Sequence, residues 1–148
     1  MASTEYNLEA ELKGYPQTVE VPLTAANLIA MYATPVLVVP AVSNKAIVVD
    51  SVEFIITRTA TQFTSGGVVS VQYNSTANGA GTSVQASTIA AAVVTGAAGT
   101  TYSTRPPATL SDVATASIRG IGLYISNATA AFATGTGTAT VIVTYRTV

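Results

Sequence analysis

The longest stretch with the apolar pattern of a β-strand runs from residue 46 to residue 58, AIVVDSVEFIITR. Apolar residues alternate at 47–49 and again, in the opposite phase, at 52–56, with Asp50 and Ser51 between the two runs. Because successive side chains of a strand point to opposite faces, the change of phase predicts a bulge or bend where the strand passes from one sheet to another. We therefore expect this stretch to be the central strand of a β-sandwich.

Five other segments have strand patterns. Residues 18–23 alternate between apolar and polar positions and contain Pro22, whose missing N–H favours the edge of a sheet. Residues 35–42, PVLVVPAV, form a continuous apolar run that predicts a strand covered on both faces, paired with 46–58 in a hairpin through the turn at 43–45. In-phase apolar residues predict three further strands, at 68–73, 116–127 and 138–148.

Helical signals are few. Thr24 stands where an N-cap would precede a helix of one or two turns at 25–31, AANLIAM. The segment 83–104 is ambiguous, since its alanines favour helix and its Val-Val-Thr favours strand; it predicts either two strands or a strand and a short helix at 88–94. With their short connections, these patterns predict an all-β chain: an antiparallel β-sandwich of about eight strands, jelly-roll or immunoglobulin-like, with one or two short helices.

Residues 1–15 have a different character. They contain three of the seven acidic residues, and their apolar residues are sparse. They are predicted to be an N-terminal arm or short helix outside one sandwich domain at 16–148. The arm is either a solvated terminus or a contact with a neighbouring subunit, made through its apolar side chains. Those side chains are Tyr6, Leu8, Leu12 and Tyr15.

Charge is scarce along the whole chain. Only 9% of the 148 residues are charged, against about 25% in a typical globular domain, so we expect much of the surface to be buried against other chains. The net charge is −1 and the six basic residues are scattered, which excludes nucleic-acid binding through phosphates. No apolar run approaches the roughly 20 residues of a membrane span. The N-terminus lacks the basic and apolar regions of a signal peptide, so synthesis in a cytoplasm is expected.

Catalytic chemistry has few candidates. The chain has neither His nor Cys, which excludes Ser-His-Asp and Cys-His mechanisms, thiolate metal sites and disulfides. Catalysis by paired carboxylates would draw on Glu20, Asp50, Glu53 and Asp112. Asp50 and Glu53 lie three apart in one strand and should face opposite sides unless the bulge re-aims one of them, so each is expected to be solvated or paired with Arg or Lys. We expect no enzymatic activity, no metal and no cofactor.

The order of these elements is similar to that of a known family. The short helix and the segment 34–41, TPVLVVPA, lead through a Lys-containing turn into AIVVDSVEFIITR, which GVVSVQY follows. The tail, IGLYISNATAAFATGTGTATVIVTYRTV, has a strand, a Phe-Ala-Thr-Gly-Thr-Gly turn and a closing strand with Tyr145. Over residues 18–148 the chain resembles the jelly-roll decoration (cement) proteins of tailed bacteriophage heads.

The resemblance implies a structural protein on the exterior of a virion, synthesised in the host cytoplasm. It implies a homotrimer that binds the major capsid protein at three-fold and quasi-three-fold sites and ties adjacent capsomers together. The alternative is a virion-associated glycan-binding β-sandwich module. Such modules usually present aromatic platforms, but the chain has no Trp, and Tyr73, Tyr124 and Tyr145 lie in predicted strands, where we expect them to pack.

Overall fold

A computed structural model describes residues 14–85, 87–105 and 115–148. Its strands pair antiparallel throughout. The strands are β1 (Gln17–Thr24), β2 (Val36–Val39), β3 (Ile47–Arg58), β4 (Thr64–Ser65), β5 (Val69–Tyr73), β6 (Gly99–Arg105), β7 (Leu123–Asn127), β8 (Phe132–Ala133) and β9 (Gly137–Thr147). The helices are α1 (Ala25–Ala30), α2 (Ala91–Thr95) and α3 (Thr115–Ile118). The predicted all-β class with few, short helices is confirmed.

The strands form two main sheets and one small one. The larger sheet has the order β1-β9-β3-β6, the smaller has the order β2-β7-β5, and β4 pairs with β8. The segment 83–89 extends the smaller sheet beyond β5 through two isolated bridges, Val69 to Ile89 and Gln72 to Ser83. We count that segment as a strand, leave out the short β4–β8 pair and renumber the remaining eight strands in chain order. The sheet orders then become 1-8-3-6 and 2-7-4-5. This is the jelly-roll form of the antiparallel sandwich.

β3 lies inside the larger sheet, between β9 and β6. Its register against β9 shifts between Val49 and Ser51, so the predicted bulge is confirmed. The predicted passage into a second sheet is wrong, because β3 pairs with β9 on both sides of the bulge. The extra residue, Asp50, offsets the change of phase. Alternate apolar residues in both runs, 47–49 and 52–56, are therefore buried in the same core.

The predicted hairpin between residues 35–42 and β3 is wrong. β2 pairs with β7 in the other sheet, and it ends at Val39 because Pro40 has no N–H to continue the ladder. The turn that follows, with Asn44 at φ 59°, carries the chain across from one sheet to the other. Cover on both faces is also wrong, since Leu37 remains 45% exposed.

Two other segments differ from their predicted forms. Residues 116–127 were expected to be one strand, but α3 ends at Ile118 and β7 begins only at Leu123. Gly120, with φ 72°, turns the backbone between them. The ambiguous segment 83–104 contains a bridged stretch, then α2, then β6, so it combines features of both alternatives.

Arg58 joins α2 to the larger sheet from a buried position. Its Nε donates to the carbonyl of Ala97 at 2.7 Å, its Nη2 donates to Thr101 Oγ1 at 2.7 Å, and its Nη1 donates to the carbonyl of Val93. Arg58 is only 8% exposed. A buried cation is tolerated here because neutral oxygens satisfy its donors.

The core lies between the two main sheets. α1 closes one side of it, with Leu28 buried in the core. Thr24 caps this helix as predicted, since Asn27 N donates to Thr24 Oγ1 at 3.2 Å and Thr24 N donates to Asn27 Oδ1 at 2.9 Å. The largest fully buried apolar side chains are Phe54, Phe63, Phe132, Leu23, Leu28, Met31, Ile47, Ile56, Ile89, Leu123 and Ile125. Within the described ranges, no helix has the length and hydropathy needed to span a bilayer.

Candidate interaction surfaces

Loops of the chain cover the outer face of β5 and part of that of β7 in the β2-β7-β5 sheet. Every residue of β5 is buried, including Gln72, whose Nε2 donates to the carbonyls of Asn74 at 3.2 Å and Thr76 at 2.6 Å. Gln72 Oε1 accepts from Gly81 N at 3.1 Å. Ser126 of β7 donates to the carbonyl of Met31. The outward side chains of β5 and Ser126 of β7 are therefore used within the fold, whereas Leu37 of β2 is 45% exposed.

Among the residues that the structure describes, no loop or helix covers the outer face of the β1-β9-β3-β6 sheet. Strand alternation and the ladder registers bring side chains of four strands into rows, one of which runs from Pro22 through Thr140 and Ile55 to Tyr102. None of the side chains on this face is buried. We call this surface the open face; its residues are Thr18, Glu20, Pro22, Thr24, Ser51, Glu53, Ile55, Thr57, Thr100, Tyr102, Thr104, Thr138, Thr140, Ile142 and Thr144.

Hydroxyl groups dominate the open face. Pairs on adjacent strands bond to each other, with 3.1 Å between the hydroxyls of Thr18 and Thr144 and 3.0 Å between those of Thr57 and Thr100. Tyr102, which is 56% exposed, stands opposite Ile55. The face therefore combines partly satisfied hydroxyls with a small apolar centre. Its two acidic residues, Glu20 and Glu53, lie on either side of Ile142.

The candidate catalytic carboxylates do not form a shared site. Asp50 pairs with Arg146, with 3.0 Å between Oδ1 and Nη2. The prediction that Asp50 and Glu53 face opposite sides is wrong: the bulge turns Asp50 toward Arg146, which alternates with inward-facing residues of β9, so both carboxylates lie outside the core. Asp112 lies outside the described residues. No three potential metal-ligating side chains group together in the part of the chain that the structure describes.

The tyrosines divide into packed and exposed residues. Tyr73 is buried and donates its hydroxyl to the carbonyl of Ile47 at 2.5 Å, and burial raises its pKa to about 12. Tyr145 is half-buried and bonds to Gln17, while Tyr124 is half-buried in β7. Sequence reasoning missed Tyr102, although its place among hydroxyls in GTTYSTR marks an outward position. A hydrogen bond with Glu53 raises the pKa of Tyr102 above its ordinary value.

A pocket of about 340 Å³ lies where the ends of several elements meet, and it is basic. Lys45 and Arg119 both line it, and a bridge between Ala46 and Arg119 holds their backbones together. Neither base forms an ion pair within the described residues. The remaining lining residues are Gly14, Asn44, Thr147 and Val148.

The predicted contact arm lies largely beyond the described residues. Tyr6, Leu8 and Leu12 fall outside them. Tyr15 is described and is 61% exposed. The partner-contact role of the arm stays a prediction.

Comparison of the chain with protein-family models, curated proteins and solved structures finds no match.

Proposed function

We propose that the chain is a structural virion protein that binds the outer surface of an assembled bacteriophage capsid as a homotrimer and stabilises it, without enzymatic activity. Its partners would be the major capsid protein, at three-fold and quasi-three-fold sites, and two other copies of itself. The observation that carries the proposal is the open face. The jelly-roll order of the strands also agrees with the resemblance on which the proposal is based.

The chemistry of the open face suits a permanent contact. Burying hydroxyls and small apolar groups requires less desolvation than burying ions. Glu20 and Glu53 are the charged residues among the fifteen of the open face, and the ion pair of Asp50 with Arg146 lies beside them on the same side of the sheet. Tyr102 is the type of residue that contributes most at the centre of protein interfaces. An uncovered sheet face with this composition is therefore better suited to a protein surface than to a small-molecule substrate.

The area of the open face determines how much further surface a standard protein interface would need. Four strands about 4.8 Å apart, each of about eight residues at 3.3 Å, cover roughly 500 Å². A standard interface buries about 800 Å² on each partner. The open face would supply more than half of one such contact, and the remainder would come from strand edges or from the arm. Three linked contacts in a trimer would multiply the binding strength through avidity.

The first experiment is the mass of the purified chain by light scattering during gel filtration. We expect about three times the protomer mass of 15.0 kDa. The chain is then mixed with expanded, undecorated heads and sedimented. Tyr102→Ala should reduce co-sedimentation or trimer formation. Leu37→Ala, which shortens an exposed apolar side chain of the other sheet, should leave both unchanged. Equal behaviour of the two variants would count against the open face.

A glycan-binding module is the second candidate. The observation that favours it is the exposed ring of Tyr102 with the Glu53 carboxylate hydrogen-bonded beside it, since an aromatic ring next to a carboxylate can stack on and bond to a sugar. The same light-scattering measurement discriminates. A stable monomer that binds on a sugar array, and loses binding in Tyr102→Ala, would replace the capsid proposal.

A further inference from the structure

The basic pocket brings together two unpaired cations. Lys45 and Arg119 are adjacent through the bridge at Ala46, and the amide of Gly120 donates to the carbonyl of Lys45 at 2.8 Å. Among the described residues no carboxylate lies within ion-pair distance of either base. The volume of about 340 Å³ corresponds to on the order of ten water molecules at about 30 Å³ each, which is room for more than one carboxylate side chain.

The chain itself carries a matching set of acids next to this pocket. Gly14, the first described residue, lines the pocket, so the segment 1–13 joins the fold at the pocket wall. That segment contains three glutamates and one lysine, a net charge of −2. Glu11 and Glu9 precede Gly14 by three and five residues, and an extended chain covers roughly 3.5 Å per residue. The segment is therefore long enough for both carboxylates to reach the pocket.

We propose that the pocket is the docking site of the acidic segment 1–13 of the same chain, whose glutamate carboxylates bind Lys45 and Arg119. Attachment at Gly14 favours the chain's own segment over a free partner, because the covalent link holds it at a high effective concentration. Docking would also hold the predicted contact residues of the arm beside the exposed Tyr15. The inference does not depend on the proposed capsid role.

The absence of cysteine from the chain permits a direct test. The pair Leu8→Cys and Val148→Cys places one thiol among the glutamates and one at the pocket, and leaves every charged side chain in place. Equilibration of the full chain with a glutathione redox buffer gives the effective concentration of the two thiols. We expect an intrachain disulfide, seen as a monomer on a non-reducing gel.

Neutralising the pocket should weaken the contact. In the same background, Lys45→Gln with Arg119→Gln should lower the effective concentration about fivefold, the size expected for two exposed ion pairs, and 0.5 M salt should act similarly. Glu9→Gln with Glu11→Gln should have a comparable effect, and combining both pairs should add little. Arg146→Gln removes a cation outside the pocket. It is the matched control for the single substitution Lys45→Gln, and it should leave the effective concentration of the two thiols unchanged.

Two results would overturn the inference. One is an effective concentration that neither pair of neutralising substitutions lowers, which would mean that the segment approaches Val148 without binding the bases. The other is a disulfide formed between chains, which would assign the pocket to the segment of another copy. Circular dichroism of each variant checks that the sandwich is intact. The trimer mass and the head-binding result are read separately, so failure here leaves the proposed function standing.

Discussion

The outer faces of the two main sheets differ in how far the rest of the chain covers them. In the β2-β7-β5 sheet, loops cover the outer face of β5 and part of that of β7, and the buried polar side chains Gln72 and Ser126 hydrogen-bond to these loops. The β1-β9-β3-β6 sheet has longer strands, a continuous ladder and an uncovered face of hydroxyls. An antiparallel sheet can leave one side to solvent. This chain therefore covers much of one sheet with its own loops, while the described residues leave the outer face of the other sheet accessible.

The largest effect on this comparison is expected from breaking the cover. Gln72→Ala should lower the free energy of unfolding by about 3 kcal/mol, because it removes three partly buried hydrogen bonds worth about 1 kcal/mol each. Thr140→Ala, at the centre of the open face, should change it by less than about 0.5 kcal/mol. Urea denaturation measures both. Similar losses for the two variants would mean that the sheets do not differ as described.

The same contrast explains how far the sequence predicts the fold. β1, β3 and β9 agree with their predicted bounds to within one or two residues, because each has one buried and one open face and so a clean alternation. β2 and β7 are shorter than predicted, because Pro40 cannot continue the first ladder and the turn at Gly120 delays the start of the second strand. The change of phase at Asp50 predicts a bulge, but the pattern alone does not distinguish an inserted residue from a change of sheet.

The interaction surfaces are predictable only in part. Low charge and abundant hydroxyls indicate a surface made for contact, but the open face depends on a register between four strands that are distant in sequence. The pocket joins Lys45 and Arg119, which are more than seventy residues apart. No local motif marks such a pair, because the bridge at Ala46 is a tertiary contact.

A second prediction concerns Arg58, a buried polar side chain of the larger sheet. Arg58→Met should reduce the free energy of unfolding by about 2 kcal/mol, since it keeps most of the packing volume but leaves the carbonyls of Val93 and Ala97 without their donor. Arg146→Gln breaks a half-exposed ion pair and should cost less than about 1 kcal/mol. Thermal unfolding of both variants provides the test, and equal shifts in Tm would contradict it.

A third prediction uses pH to probe the link between the sheets, which Tyr73 makes by bonding the carbonyl of Ile47. Its pKa is raised to about 12, whereas an unfolded tyrosine titrates near 10. The stabilisation is complete below pH 10 and is lost as the pH rises through 12, because the unfolded state releases the proton first. We expect a loss of at most about 2 kcal/mol over this interval. In Tyr73→Phe the part of the loss of stability at alkaline pH that is due to this hydroxyl should be absent. If stability depends on alkaline pH in the same way in Tyr73→Phe and in the wild type, the assignment is refuted.

The smallest effect is expected on the open face, where a pKa shift has a different physical origin. The pKa of Tyr102 is raised chiefly by its hydrogen bond with Glu53, with smaller contributions from desolvation and from the charge of Glu53. Glu53→Gln should therefore bring the titration of Tyr102 back toward that of an ordinary tyrosine and leave Tyr73 unchanged, with no measurable change in stability because the pair is exposed. Ultraviolet absorbance from pH 9 to 13 follows the titration of Tyr102 and Tyr73, and Tyr102→Phe identifies the part of the signal that belongs to Tyr102. If wild-type Tyr102 titrates as an ordinary tyrosine in both the isolated and the assembled protein, its hydrogen bond with Glu53 is not formed. A further rise in the pKa of Tyr102 on assembly would indicate that a partner lies against the open face, because loss of water or a negative charge of the partner would raise it.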